Sequence, residues 1–298
     1  MKKILIGIVL MAYIGGLIFY SLSKRIYFIE VPLNVSSSHT PMVPVKIEKN
    51  SLHFLLDTGY LSFITVNKNA IPQNAKLLGK KSSFNNVFGD KFQSDTYLLK
   101  KLSIKKLYLT NVTADVTNEA FNKSTTFSNA GFNQKQEKSY QGILGVAPFF
   151  LLKKHIIFDF FNLQMILTND ITQLSSNGYF LKPICKGTFK KEFSGYCINI
   201  QTDCGNLNFA IDTGSSVSLI RSSLVTHKKL ENANTSLPYC LLNEFKIFGK
   251  DFGQKKVYPK EFGKNMEKID GILGMDFLWN YALHINHDQH TISINNSL

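Results

Sequence analysis

Apolar and polar residues alternate in short runs along most of the chain, and the period of two predicts strands rather than helices. Residues 43–59, VPVKIEKNSLHFLLDTG, read as two alternating strands with a polar turn at Lys49, Asn50 and Ser51. Residues 196–214, YCINIQTDCGNLNFAIDTG, repeat that form with a turn from Asp203 to Asn206. Each hairpin ends its second strand on Asp-Thr-Gly.

The echo runs on in the same order. FGDKF at 88–92 is answered by FGKDF at 248–252, each a glycine turn between strands. QGILGVAPFF at 141–150 is answered by DGILGMDFLW at 270–279, an apolar strand closed by glycines with a turn or short helix behind it. HIIFDFFNLQMIL from His155 and LHINHDQHTISI from Leu283 both read as closing hairpins. Asp57 and Asp212 stand 155 residues apart, whereas Ile143 and Ile272 stand 129 apart, so the first half carries 26 more residues between its landmarks. Residues 118–140, rich in Asn, Ser, Thr, Lys and Gln, account for most of them as an inserted surface loop. Low-apolar SSNG at 175–178 marks the boundary. The pattern predicts an all-β, two-lobed protein with lobe 1 over 26–178 and lobe 2 over 179–298.

One stretch departs from this pattern. Ile4 to Leu22 is uncharged and apolar, 19 residues flanked by Lys2-Lys3 and Lys24-Arg25. That length as helix comes close to a bilayer core. Residues 1–25 are therefore expected to form an uncleaved single-pass transmembrane anchor, with a cleaved signal segment as the alternative. The two lobes are expected on the extracytoplasmic side. Composition adds little more: 298 residues suffice for two cores, and the net charge of +13 comes from scattered lysines without a nucleic-acid module. Cys185, Cys197, Cys204 and Cys240 lie in the second half, and four cysteines allow three pairings.

An acid, a hydroxyl and a glycine at a strand end form a tight turn in which backbone N–H groups approach the carboxylate closely. Duplication allows a pseudo-two-fold axis to bring Asp57 and Asp212 together. Two carboxyls in contact share one proton. One acts as general base on a water and the other as general acid toward a carbonyl, with no metal or organic cofactor.

On these residues the sequence resembles the aspartic proteases of the pepsin and retropepsin superfamily. The resemblance rests on Asp57-Thr58-Gly59 and Asp212-Thr213-Gly214-Ser215, each with a later Ile-Leu-Gly at 143–145 or 272–274. It implies a bilobal acid-protease fold and an endopeptidase acting on extended peptides, monomeric because its two lobes pair within one chain. It also implies that Asp57 and Asp212 hold the attacking water. Thr58 and Thr213 would exchange hydrogen bonds across the junction, and the segments ending at Gly145 and Gly274 would thread beside the catalytic loops. Phe88, Gly89 and Asp90 are the flap candidates, with Phe248, Gly249 and Lys250 their counterpart in lobe 2. Ser215 is the usual small residue behind the motif and can hydrogen-bond the acid. Tyr60, in its place in lobe 1, departs from the pattern. A bulky ring there would narrow the cleft or turn into the lobe core, and it supports an alternative: a protease-like binding or scaffold protein without catalysis.

Other chemistries find less support. His284, His287 and His290 surround a hairpin turn that spreads their rings, which disfavours a metal site. Ser215 and His227 have no nucleophile-elbow context for a serine triad.

Overall fold

A computed structural model of the chain describes residues 27–60, 63–85, 91–117, 140–145, 154–192, 195–232 and 237–298. The expected anchor at 1–25, the inserted loop at 118–139 and the flap candidates Phe88, Gly89 and Asp90 lie outside the described residues. Among those described, no helix is long and apolar enough to cross a membrane.

The architecture is all-β and bilobal. The first Asp-Thr-Gly hairpin pairs Pro41–Ile47 with Asn50–Leu56, and the second pairs Gly195–Thr202 with Gly205–Ile211. Both turns are tighter than the sequence pattern suggests. Ile47 faces Asn50 and Thr202 faces Gly205, so only Glu48-Lys49 and Asp203-Cys204 stand outside the ladders. Glu48 takes the left-handed conformation that such a two-residue turn requires, with φ 52°.

The Ile-Leu-Gly elements are inserted strands. Gly142–Leu144 runs parallel to Asn50–Leu56 and antiparallel to Ile64–Asn67. Gly271–Leu273 does the same between Gly205–Ile211 and Leu219–Arg221. Gly142 and Gly271 have no room for a side chain, because a Cβ would meet the rings of Phe54 and Phe209 at 2.5 and 2.4 Å. Beyond these strands, Ile64–Asn67 runs parallel to Leu107–Thr117, as Leu219–Arg221 does to Lys255–Lys260. The lobes thus share one topology.

Register corrects one of the matched landmarks. Lys46 pairs with Ser103 in lobe 1, and Gln201 with Lys246 in lobe 2. Phe248-Gly249 is therefore the equivalent of Lys105-Lys106, and Phe248 and Lys105 share a left-handed φ of 51° and 53°. It is not the counterpart of Phe88-Gly89. The long hairpin of lobe 1, Lys76–Asn85 with Lys91–Ile104, corresponds instead to the short pairing of Glu231–Asn232 with Pro238–Leu242. Two similar segments, FGDKF and FGKDF, in the same order along the chain suggest an equivalence that strand pairing does not support.

A third sheet joins the lobes. Its order is Phe28–Pro32, Gln164–Thr168, His155–Asp159, Ala282–Asn286, Thr291–Asn295 and Pro183–Thr188. The two closing hairpins meet at its centre, where Ile156 faces Ile285 and Phe158 faces Leu283. One continuous apolar core, including Val45, Phe54, Phe158, Phe209, Phe245 and Ile285, extends through both lobes. Residues 175–178 close the short helix Thr172–Ser176, with Gly178 at φ 85°. The four cysteines, all among the described residues, form no disulfide with one another.

Candidate active site

Each Asp-Thr-Gly loop is hung from its inserted strand. Asp57 N–H donates to the Leu144 carbonyl at 3.0 Å, and Asp212 N–H to the Leu273 carbonyl at 3.1 Å. The chain then turns sharply, with Tyr60 N–H on the Asp57 carbonyl at 3.2 Å and Ser215 N–H on the Asp212 carbonyl at 3.3 Å. Two loops built by the same bonds arrive face to face.

The threonines lock them together. Thr58 N–H donates to Thr213 Oγ1 and Thr213 N–H to Thr58 Oγ1, both at 3.0 Å. Each hydroxyl proton then goes to the opposite lobe: Thr58 Oγ1 to the Ile211 carbonyl at 2.7 Å, and Thr213 Oγ1 to the Leu56 carbonyl at 2.5 Å. Both threonines are fully buried. A hydroxyl can donate and accept at once, and each threonine uses both capacities across the junction.

This lock places the acids in contact. The Asp57 and Asp212 carboxyls hydrogen-bond one another. Gly59 N–H donates to Asp57 Oδ1 at 2.9 Å, and Gly214 N–H to Asp212 Oδ1 at 2.8 Å. The glycines are obligatory for a cross-lobe reason. A Cβ on Gly59 would lie 2.6 Å from Asp212 Cγ, and one on Gly214 would lie 2.7 Å from Asp57 Cγ. Burial raises the pKa of Asp57 well above the usual carboxylate range, and the neighbouring Asp212 charge raises it further. Burial also raises that of Asp212, against the lowering effect of hydrogen bonds from Asp57 and from backbone N–H groups. The pair binds one proton readily and resists losing it.

Tyr60 turns its phenol to the strand of Thr65. Its hydroxyl meets Thr65 Oγ1 at 2.5 Å, on the buried strand Ile64–Asn67. Ser215 also departs from expectation, because its hydroxyl donates to the Val217 carbonyl at 2.7 Å and so cannot donate to Asp212. Its backbone N–H does reach that carboxylate. Thr65 had no signal in the sequence, since a threonine in an alternating strand reads as ordinary β structure. Ser218 was equally silent. It accepts from Gly274 N–H at 3.1 Å and donates to Asp276 at 2.6 Å, which ties the second inserted strand to its loop.

The remaining candidates lie elsewhere. His284 bonds His155 at 2.9 Å in the sheet joining the lobes, while His287 bonds the buried Tyr196 hydroxyl at 2.8 Å. His227 sits 3.9 Å from Cys204 and has no contact with Ser215 among its described bonds. A cavity of about 320 Å³ lies against Val35, His39, Phe160, Phe161, Leu163 and Trp279, which places it apart from the dyad.

Fold and site together define a bilobal all-β architecture with two Asp-Thr-Gly loops meeting at the lobe junction. The structure is similar to the crystal structure of an aspartic proteinase from Irpex lacteus, with a TM-score of 0.59 over 91% of this chain and 98% of that one. Identity is 14%, so the likeness shows the fold. No family model and no curated protein matches the sequence.

Proposed function

We propose that the protein is a membrane-anchored aspartic endopeptidase whose Asp57/Asp212 dyad activates a water for peptide hydrolysis. The observation that carries this reading is the hydrogen-bonded contact of two carboxyls on mirrored loops. In the singly protonated dyad, the ionised acid takes a proton from water, and the oxygen attacks the scissile carbonyl carbon. The protonated acid donates to the carbonyl oxygen. Collapse of the tetrahedral diol expels the amine with a proton returned from the dyad.

The substrate is a peptide in extended form lying across the lobe junction, paired through its backbone with the lobe 1 hairpin. Residues 1–25 anchor the chain, with the lobes extracytoplasmic. This placement rests on the apolar run Ile4 to Leu22. Detergent-free fractionation tests it: the full chain stays with the membrane after alkaline wash, and the chain starting at residue 26 does not.

Replacing Asp57 or Asp212 with Asn is expected to lower kcat by at least about 10²–10⁴-fold, the usual contribution of a positioned acid or base. Retention of full activity by both variants would end the catalytic reading. A binding protein without catalysis rested on Tyr60, whose phenol engages Thr65 rather than the acids. A statine-type transition-state mimic separates the two readings, since tight binding by the wild type and loss in both Asn variants requires an accessible dyad.

A further inference from the structure

We propose that Tyr60 is a positioning residue, whose hydroxyl bond to Thr65 holds the Asp57 loop in the geometry that makes the dyad. The inference rests on the peptidase reading and deepens it. Its starting point is a paired departure from the two-fold symmetry. Thr65 faces Ile143 across the inserted strand of lobe 1, and the residue facing Ile272 in lobe 2 is Leu219. Lobe 1 therefore carries Tyr60 with Thr65 where lobe 2 carries Ser215 with Leu219. Each member explains the other. Thr65 has no solvent exposure and lies between paired strands on both sides, with Asp115 its partner on the second. A hydroxyl in such a place demands a bond, and the long, polar-tipped side chain of Tyr60 supplies it.

Loop length gives the bond a task. From Asp57 to Thr65 the chain takes one more step than from Asp212 to its equivalent Leu219. The shorter loop of lobe 2 is tied down by Ser215 on the Val217 carbonyl, by Met275 N–H on the Ser215 carbonyl and by Asp276 N–H on the Ser216 carbonyl. The longer loop of lobe 1 carries the phenol bond to Thr65 together with Gly145 N–H on the Phe63 carbonyl at 3.2 Å. Tyr60 and Gly59 supply the backbone N–H groups that reach the Asp57 carboxyl, and Gly59 lies directly against the Asp212 carboxyl. Displacing Tyr60 thus misaligns donors aimed at both acids, which impairs chemistry more than substrate binding.

The test is a cycle of Tyr60→Phe, Thr65→Val and the double variant in the full-length protein, with Thr65→Ser as the conservative control. Peptide cleavage is followed across pH, and thermal unfolding is followed in parallel. The expected result is a fall of about 10-fold in kcat for each single variant at nearly unchanged KM. The pH optimum moves upward as the ionised dyad loses aligned donors, the double variant is no worse than the poorer single, and Thr65→Ser behaves as wild type. Wild-type kcat and pH profile in Tyr60→Phe, additive losses, or a change in KM alone would each overturn the inference. The last would instead place the ring against substrate. Wild-type protein that neither cleaves peptides nor binds a statine mimic would overturn the peptidase reading itself. Non-additive unfolding in the same cycle would then still establish the hydroxyl bond as a purely structural tie.

Discussion

At the scale of single residues, the protonation of Asp57 links the site to stability. Its pKa is raised in the fold, chiefly by burial. The native state therefore keeps a proton that the unfolded chain releases. The stabilisation is complete below the ordinary carboxylate pKa of 3.8 and is lost as pH rises through the raised value. Asp57→Asn removes this loss because an amide needs no proton. Its melting temperature should match wild type near pH 3 and exceed it near pH 7, by scanning calorimetry at both values. A variant that melts below wild type at neutral pH would show that Asp57 is ionised there. The glycines make a second prediction at this scale. Gly59→Ala drives a methyl group to within 2.6 Å of Asp212 Cγ, so the lobes must separate or the dyad must open. Activity should disappear even if the variant folds, as circular dichroism would report.

The elements that matter most are the two Asp-Thr loops and the strands threaded beside them. Their threonine hydroxyls make four cross-lobe bonds, all buried. Thr58→Val keeps the shape of the side chain but leaves the Ile211 carbonyl and the Thr213 N–H without their partner. A buried group left in that state costs about 1–3 kcal/mol. Urea denaturation should report a loss of about 2–5 kcal/mol for Thr58→Val, with a similar loss for Thr213→Val. A loss below 1 kcal/mol in both would mean that water replaces the lock, and the lobe junction would be looser than these bonds imply. Lobe 1 differs from lobe 2 mainly in its hairpin, whose strands Lys76–Asn85 and Lys91–Ile104 far outreach the two-residue partner Glu231–Asn232.

For the whole molecule, the sheet joining the lobes adds a second, opposite dependence on pH. His155 and His284 share a hydrogen bond on its central strands, and burial lowers the pKa of both, that of His284 to about 3. The unfolded chain binds protons here before the native state does, so stability falls as pH drops below the ordinary histidine value of 6.5. Lys154, Asp170, Lys186 and Asp288 lie near the pair and modify it. The acids favour low pH and the histidines oppose it, which predicts greatest stability at mildly acidic pH. Replacing both histidines with Gln should flatten the acidic limb of a melting-temperature profile and leave the neutral limb in place. An unchanged acidic limb would assign that limb to other groups.

Much of this protein was written in its sequence because duplication prints every local requirement twice. A strand ending on an acid, a crossed threonine and a glycine that cannot carry a Cβ are dictated by neighbours close in the chain or by the identical partner loop. Asp57, Asp212, both threonines and both glycines were legible for that reason, as were the inserted strands at Gly142–Leu144 and Gly271–Leu273. What depended on long-range register was not legible. The pairing of Lys46 with Ser103 and of Gln201 with Lys246 decides that Phe248 answers Lys105, and no local pattern carries that information. The direction of Tyr60 was likewise open until Thr65 was placed beside it, since a ring can turn either way at a strand end and only a buried hydroxyl chooses between them. Sequence determined which groups could react. Tertiary packing decided which of them meet, because contact across a lobe junction depends on how strands pair and not on how residues follow one another.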